Sequence, residues 1–122
     1  MAAPNLGSLL VGTSQLDTMK GWYRACFAPV ENEMGAFIFG NTQIFVEEHS
    51  EVSGLNADGH RIILNLDVSN CRELEEHLKS QDVTWVREVE QTPFGLIGTL
   101  ADPDGNLVQV IEWGAAPDEG HG

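Results

Sequence analysis

The chain has 122 residues, of which 42% are hydrophobic, and its formal net charge is −13. This length suits a single domain with its own hydrophobic core, and no apolar run approaches the roughly 18 residues that a membrane helix needs. A strongly negative chain repels nucleic acid and anionic lipid, so neither is expected as a partner, and the charge either keeps the protein soluble or attracts a cationic small molecule.

The first half of the chain predicts a strand, a helix and three further extended segments. Residues 5–13 form the first apolar strand pattern. Ser14 is predicted to cap a helix with apolar residues at helical spacing, and Pro29 ends that helix. Extended segments follow at 30–33, 36–39 and 42–47. Gly40-Asn41 predicts a tight turn between the last two, because both residues tolerate a positive φ.

The second half repeats this order after a polar segment, residues 49–60, which predicts a linker. Residues 61–68 predict a strand, and Ser69 is predicted to cap the second helix. Extended segments follow at 83–90, 95–102 and 106–113. The acidic run at 102–105 predicts an exposed turn rather than a catalytic cluster. The tail, residues 115–122, is predicted to be disordered.

The two halves match each other in order and in part of their sequence. Residues 9–17 match 64–72, and residues 40–48 match 105–113 around a shared Gly-Asn pair. An internal duplication is the simplest explanation. We therefore predict an α+β fold of two tandem βαβββ modules within a single domain, residues 1–122. Module one spans about 5–48 and module two about 61–114.

The N-terminus and the cysteines indicate the compartment. No basic segment precedes the first apolar stretch, so we expect no signal peptide and a cytoplasmic protein. Cys26 and Cys71 fall inside helical patterns, without a CxxC motif or a His at ligand spacing. Two buried thiols are therefore favoured over a disulfide or a zinc site.

Three features together resemble the vicinal oxygen chelate superfamily. They are the first helix, SQLDTMKGWYRACF, with its Trp22-Tyr23 pair, the duplicated βαβββ order, and the closing segment FGLIGTLADPDGNLVQVIEW. The superfamily holds glyoxalase I, extradiol dioxygenases, and fosfomycin and bleomycin resistance proteins. The resemblance covers residues 5 to about 114. It implies curved mixed sheets around a cleft, and a homodimer.

Metalloenzymes of the superfamily take one ligand, usually His or Glu, from the first and last strand of each module. Matching the halves places these four positions at Ser8, Ile44, Ile63 (or Arg61, if that strand is shifted by two) and Gln109. Such a set lacks the donors of a divalent-metal site. The resemblance therefore implies no metal, and we expect no other cofactor. The alternative is a shifted ligand set, drawn from Glu47, His49, His60 and Glu112.

Several further residues are candidates for the cleft. Phe39, Trp85, Phe94 and Trp113 either pack in the core or line the cleft, where flat apolar walls favour planar ligands. Asn65 and Gln109 are amides within apolar strands, so they either make cross-strand hydrogen bonds or orient a ligand. With Ser8, Ile44 and Ile63, these six residues form the predicted ligand-binding cleft.

The functional prediction is a metal-independent protein that binds a small molecule and contains no catalytic residue. A hydrophobic or aromatic antibiotic, sequestered for self-resistance, is the predicted ligand class. The alternative is a metal-dependent lyase, isomerase or dioxygenase that uses the shifted ligands. A third prediction is an interaction module without any ligand.

Overall fold

The computed structural model describes residues 2–114, so the predicted tail at 115–122 lies outside the described residues. The chain divides into two compact units on either side of the junction between Gly54 and Leu55. Each unit holds one helix and one four-stranded sheet. Neither helix of the described part is long and apolar enough to cross a membrane.

The first unit contains a mixed sheet with strand order β1-β4-β3-β2. Its elements are β1 (Ser8–Thr13), α1 (Leu16–Phe27), β2 (Val30–Glu31), β3 (Phe37–Phe39) and β4 (Thr42–Glu48). β1 runs parallel to β4, whereas the other neighbours are antiparallel. Antiparallel neighbours need only short turns, and the parallel pair is connected through the helix.

The second unit repeats this topology, with strand order β5-β8-β7-β6. Its elements are β5 (Ile63–Asp67), α2 (Cys71–Ser80), β6 (Thr84–Thr92), β7 (Gly95–Ala101) and β8 (Leu107–Trp113). β5 runs parallel to β8, and the remaining pairs are antiparallel. The predicted α+β class, with two modules of the order β-α-β-β-β, is confirmed.

In each unit the helix covers one face of the sheet. Met19, Tyr23 and Cys26 of α1 are buried, and the Tyr23 ring lies 6.1 Å from the ring of Phe37 on β3. In the second unit, Cys71 and Leu78 of α2 are buried. These positions recur at the helical period that the sequence predicted, so the apolar stripe of each helix supplies the core on that side.

The helix starts differ from the predicted serine caps. Gln15 precedes α1 without a side-chain cap, although its N–H donates to Thr13 Oγ1 at 3.0 Å. Asn70, rather than Ser69, caps α2, and its side chain accepts from the Glu73 N–H at 3.0 Å. A short polar side chain at either position satisfies the same free N–H groups, so spacing alone did not distinguish them.

The predicted turn at 102–106 is present, but its first aspartate is buried rather than exposed, with 5% exposure. Asp102 Oδ1 accepts from the N–H groups of Asp104 and Asn106 at 2.9 and 3.0 Å. Part of the predicted linker packs on this turn, since the Asn56 N–H donates to the Asp104 carbonyl at 2.7 Å. The turn therefore anchors residues that precede β5.

The two sheets share one hydrogen-bonding register. Ser8 pairs with Gln43 across β1 and β4, as Ile63 pairs with Leu107 across β5 and β8. The helices also begin at the same distance along the chain, because Leu16 follows Ser8 at the interval by which Cys71 follows Ile63. These pairs define which residues of the two units are equivalent.

This register corrects the alignment of the halves by one residue. The counterpart of Gln109 is Phe45, not Ile44. The alignment matched the two Gly-Asn pairs, but Gly40-Asn41 alone joins β3 to β4, whereas residues 102–106 join β7 to β8. Since side chains alternate along a strand, a one-residue shift moves a side chain to the opposite face.

Candidate functional site

Each sheet has a second face, opposite its helix, which we call the distal face. In the second unit, alternation and pairing place the candidate residues Ile63, Asn65, Gln109 and Trp113 on the distal face. Glu112 lies on the other face, because its carboxylate accepts from the Cys71 N–H at the start of α2, at 2.8 Å. Four predicted cleft residues therefore share one face of one sheet.

The middle of this face carries a row of three hydrogen-bonding side chains, one from each of three neighbouring strands. The Thr99 hydroxyl of β7 donates to Gln109 Oε1 at 3.3 Å. Gln109 Nε2 of β8 then donates to Asn65 Oδ1 of β5 at 3.1 Å. The Asn65 amide N–H groups have no acceptor within residues 2–114, so they remain available to a ligand. The row fixes the orientation of both amides.

A pocket of about 530 Å³ opens on the second unit beside this row. Its volume lies in the range of small-molecule sites. The pocket is lined by Arg87, Glu90, Gln91, Thr92, Pro93, Phe94, Ile97 and Gln109. Gln109 therefore belongs both to the hydrogen-bonded row and to the pocket wall.

An exposed aromatic side chain on a hydrogen-bonded backbone lines the pocket. Phe94 is 66% exposed in the turn between β6 and β7. Its N–H donates to Thr92 Oγ1 at 3.1 Å, and its carbonyl accepts from the Gly114 N–H at 2.8 Å. An exposed ring on a fixed backbone loses little conformational freedom when it binds a ligand.

Trp113 is a second exposed aromatic on the distal face, with 60% exposure. Its indole Nε1 donates to Asp67 Oδ1 at 2.8 Å, which fixes the ring. Trp113 pairs across the sheet with Gly95, next to Phe94 in the chain. It lies beside the pocket rather than in its lining.

Sequence reasoning missed Arg87 and Glu90. The pairing of β6 with β7 shifts between Trp85 and Arg87, and again between Arg87 and Glu90. Simple alternation from Trp85 would place Arg87 on the helix-covered face with Trp85, but the first shift pairs it with Thr99 and brings it to the pocket. Glu90 lies on the face that alternation gives. Thr99 was missed as well, although it pairs with Gln109 across β7 and β8.

Three predicted cleft residues lie on helix-covered faces instead. Ile44 is buried on the face of β4 that pairs with Phe37, and Phe39 shares this side of its sheet. Trp85 pairs with Leu100 and packs over Gly98, where an added Cβ would lie 3.2 Å from the indole. The placement of Ile44 follows from the one-residue shift in β4.

The distal face of the first sheet is apolar at its centre, although Ser8, Gln43 and Glu47 lie on the same face. Leu10 and Phe45, the counterparts of Asn65 and Gln109, pair across β1 and β4. Ser8, the remaining predicted residue, is exposed on the same face. Gln43 of this face accepts from Asn32 Nδ2 at 2.9 Å. A ligand at the centre of this face would meet Leu10 and Phe45 rather than hydrogen-bonding side chains.

The residues present do not fit a divalent metal. Within residues 2–114, no three side chains of His, Cys, Asp or Glu group together in a way that could hold an ion. Of the alternative ligands, Glu112 caps α2, and His49 Nδ1 accepts from the Glu51 N–H at 3.1 Å. Glu47 lies on the distal face of β4 and His60 is exposed.

The cysteines are buried, as predicted. Burial raises the pKa of the Cys26 thiol to about 11. Burial, followed by the nearby carboxylates of Glu112 and Glu75, also raises the pKa of the Cys71 thiol. Both groups therefore remain thiols at neutral pH, and neither has the thiolate character of a nucleophile.

Comparison with known proteins supports the fold. No family model matches the sequence, and no curated protein matches it. Among solved structures, the chain is similar to a glyoxalase/bleomycin resistance protein/dioxygenase family enzyme from Burkholderia phytofirmans. The TM-score is 0.72 at 19% identity, over 90% of this chain and 99% of that one.

Two further structures give the same result. A glyoxylase/bleomycin resistance protein/dioxygenase domain from Frankia has a TM-score of 0.71 at 16% identity, over 92% of this chain and 99% of that one. A lactoylglutathione lyase from Agrobacterium tumefaciens has a TM-score of 0.66 at 16% identity, over 92% and 96%. The chain thus has the vicinal oxygen chelate fold, and the resemblance stated from the sequence is confirmed at that level.

Proposed function

We propose that the protein binds an aromatic or hydrophobic small molecule on the distal face of its second sheet, without a metal. The observation that carries the proposal is the row Thr99, Gln109 and Asn65, which lies beside a pocket of about 530 Å³. Metalloenzymes with this fold carry ion ligands on the corresponding strands. Amides and a hydroxyl bind a ligand through hydrogen bonds, but they are poor donors to a divalent ion.

The exposed aromatics support the ligand class. A planar ligand could lie against Phe94 while its polar edge meets Gln109 or the free N–H groups of Asn65. Stacking of this kind adds about 0.5–1.5 kcal/mol beyond the burial of area. The finer proposal is that the ligand is an antibiotic, which the protein sequesters without altering it.

We further propose a homodimer in the cytoplasm. Val30 and Leu10 of the first unit's distal face are 71% and 58% exposed, which favours contact with another apolar surface. The free thiols of Cys26 and Cys71 agree with a reducing compartment. Sedimentation equilibrium measures the mass, and a monomer at micromolar concentration would refute the dimer.

The proposal is tested with protein purified without chelator and analysed for metal content. The protein is then treated with EDTA and titrated with polycyclic and glycopeptide antibiotics, followed by tryptophan fluorescence. We expect saturable quenching at micromolar ligand, with one ligand per chain, in the absence of metal. If no compound quenches, binding of these antibiotics is refuted. A stoichiometric metal that binding requires would instead support the alternative, a metal-dependent lyase, isomerase or dioxygenase.

A further inference from the structure

In the pocket of the second unit, the ion pair between Arg87 and Glu90 involves only one oxygen of the Glu90 carboxylate. Arg87 Nε donates to Glu90 Oε1 at 2.6 Å, and Arg87 Nη2 contacts the same oxygen. Glu90 Oε2 has no hydrogen-bond partner among residues 2–114. In a bidentate pair, by contrast, the guanidinium donates to both carboxylate oxygens. The pocket therefore presents a carboxylate oxygen that can accept a further hydrogen bond.

The surroundings of this oxygen suit an organic cation better than a metal ion. The pocket wall also contains Phe94 and Ile97, which offer an aromatic ring and an aliphatic surface. An ammonium group has both charge and N–H donors for a carboxylate oxygen, and the carbon skeleton attached to it can lie on the apolar wall. A metal ion would need further ligands beside Glu90, and no three side chains of His, Cys, Asp or Glu in the described part of the chain group together in a way that could hold one.

We infer that the pocket of the second unit takes an aromatic ligand that carries an amine, with the ammonium group on Glu90 Oε2 and the ring against Phe94. This inference rests on the proposed binding function and narrows its ligand class. The net charge of −13 acts in the same direction, because it raises the local concentration of cations.

An anionic ligand is the main competitor, since Arg87 also lines the pocket. Two features oppose it. The charge of Arg87 is already paired with the Glu90 carboxylate, which weakens the attraction of Arg87 for a second anion. The field of the whole chain also repels anions. The pocket is therefore expected to bind a cationic ligand more tightly than an anionic ligand of the same shape.

The test uses three probes that share a naphthalene ring and differ in charge. They are 1-naphthylmethylamine, which is a cation at neutral pH, neutral 1-naphthalenemethanol, and anionic 1-naphthylacetate. Binding to the full chain is followed by amide chemical shifts in NMR spectra. We expect the amine to bind about tenfold more tightly than the alcohol, and the acid to bind most weakly, since a charge-assisted hydrogen bond is the stronger kind.

Two variants separate the local carboxylate from the overall charge. Glu90→Gln and Glu88→Gln each remove one negative charge from the same strand, but Glu88 is not part of the pocket lining. We expect Glu90→Gln to abolish the advantage of the amine over the alcohol, and Glu88→Gln to preserve it. Both side chains are exposed, so the fold should persist, which the spectra report directly.

The outcomes distinguish the inference from the proposed function. Equal binding of amine and alcohol, tightest binding of the acid, or loss of the preference in both variants would overturn the inference while leaving small-molecule binding intact. If none of the three probes shifts the signals of Phe94 and Gln109, binding at this face is refuted, and the amine preference with it.

Discussion

At the centre of its distal face the first sheet carries Leu10 and Phe45, where the second carries Asn65 and Gln109. Strand order, the parallel pair and the register are the same in both units. At the centre of the distal face the difference therefore lies in side chains rather than in backbone. A duplicated scaffold can keep its geometry while one copy acquires hydrogen-bonding groups and the other keeps apolar ones.

The pocket of the second unit also depends on a difference between the two units. In the second unit β6 and β7 are long strands joined by a tight turn that carries Phe94, whereas β2 and β3 of the first unit have two and three residues. The longer hairpin extends the second sheet past the hydrogen-bonded row. It supplies most of the residues that line the pocket, so the pocket depends on a feature that the first unit does not share.

The largest expected effect concerns the backbone of that hairpin. Gly95 has a φ of +139°, and an added Cβ would lie 2.1 Å from the Glu112 carbonyl oxygen. We expect Gly95→Ala to destabilise the protein by about 3 kcal/mol or more, because the clash is with backbone. Urea denaturation measures the change.

The control lies in the turn between β3 and β4 of the first unit. Gly40 also has a positive φ, of +62°, but nothing lies within 4 Å of an added Cβ. Gly40→Ala should therefore cost only about 1 kcal/mol, which is the strain of the left-handed conformation. Equal losses in the two variants would contradict the different surroundings of Gly95 and Gly40.

The next largest effect is expected when the central residues of one distal face are replaced by those of the other. Replacing Asn65 by Leu and Gln109 by Phe gives the second sheet the residues of the first, and we expect at least a tenfold loss in ligand affinity from the missing hydrogen bonds. The reverse exchange, Leu10→Asn with Phe45→Gln, should leave affinity unchanged. Calorimetric titration measures both. A loss of binding in the reverse exchange alone would place the ligand on the first sheet.

A smaller effect concerns the end of the hydrogen-bonded row. Thr99→Val removes the donor to Gln109 Oε1. We expect a loss of about 1 kcal/mol in the free energy of unfolding and a severalfold loss in affinity, because the Gln109 amide is then free to rotate. Thr84→Val, at an exposed position of β6, is the control and should change neither quantity. Unaltered affinity in Thr99→Val would remove Thr99 from the site.

The smallest effect concerns an ion pair on the helix side of the first unit. Arg24 Nε and Nη2 donate to the two oxygens of Glu31 at 2.9 and 2.8 Å, and this hydrogen bonding lowers the pKa of the Glu31 carboxyl. A lowered pKa means that the pair stabilises the fold above the ordinary glutamate pKa. That contribution is lost as the pH falls through the lowered value.

We expect Arg24→Gln to return the pKa of Glu31 toward its usual value, as measured by NMR titration, with little change in stability at neutral pH since the pair is exposed. This pair differs from Arg87 and Glu90 in that both carboxylate oxygens are bound by the arginine. An unchanged pKa in the variant would show that the guanidinium does not control Glu31.

Much of the fold was predictable because turn-forming and helix-ending residues mark the boundaries of its elements. Gly40-Asn41, Pro29 and the turn at 102–106 mark the ends of elements through local backbone chemistry, which requires no knowledge of tertiary structure. The helix stripes at Met19, Tyr23 and Cys26 likewise repeat at a period that one segment displays by itself. Element order and type follow from such local signals.

The faces of the strands were harder to predict, because a face depends on register. Ile44 was placed by matching turns of unequal length, and Arg87 follows the first of two bulges in β6. Either irregularity reverses the side to which later residues point. Asn65 and Gln109 share a face because their two strands are regular and pair directly with each other. The paired amides were thus predictable, whereas the charged residues of the pocket were not.

The most direct measurement of the central claim is a map of ligand-induced amide shifts at saturating 1-naphthylmethylamine, recorded in the presence of EDTA. We expect the largest shifts on Phe94, Thr99, Gln109 and their neighbours on the second sheet, with Leu10 and Phe45 of the first sheet unaffected. Shifts centred on Leu10 and Phe45, or shifts that appear only when a divalent metal replaces EDTA, would contradict that claim.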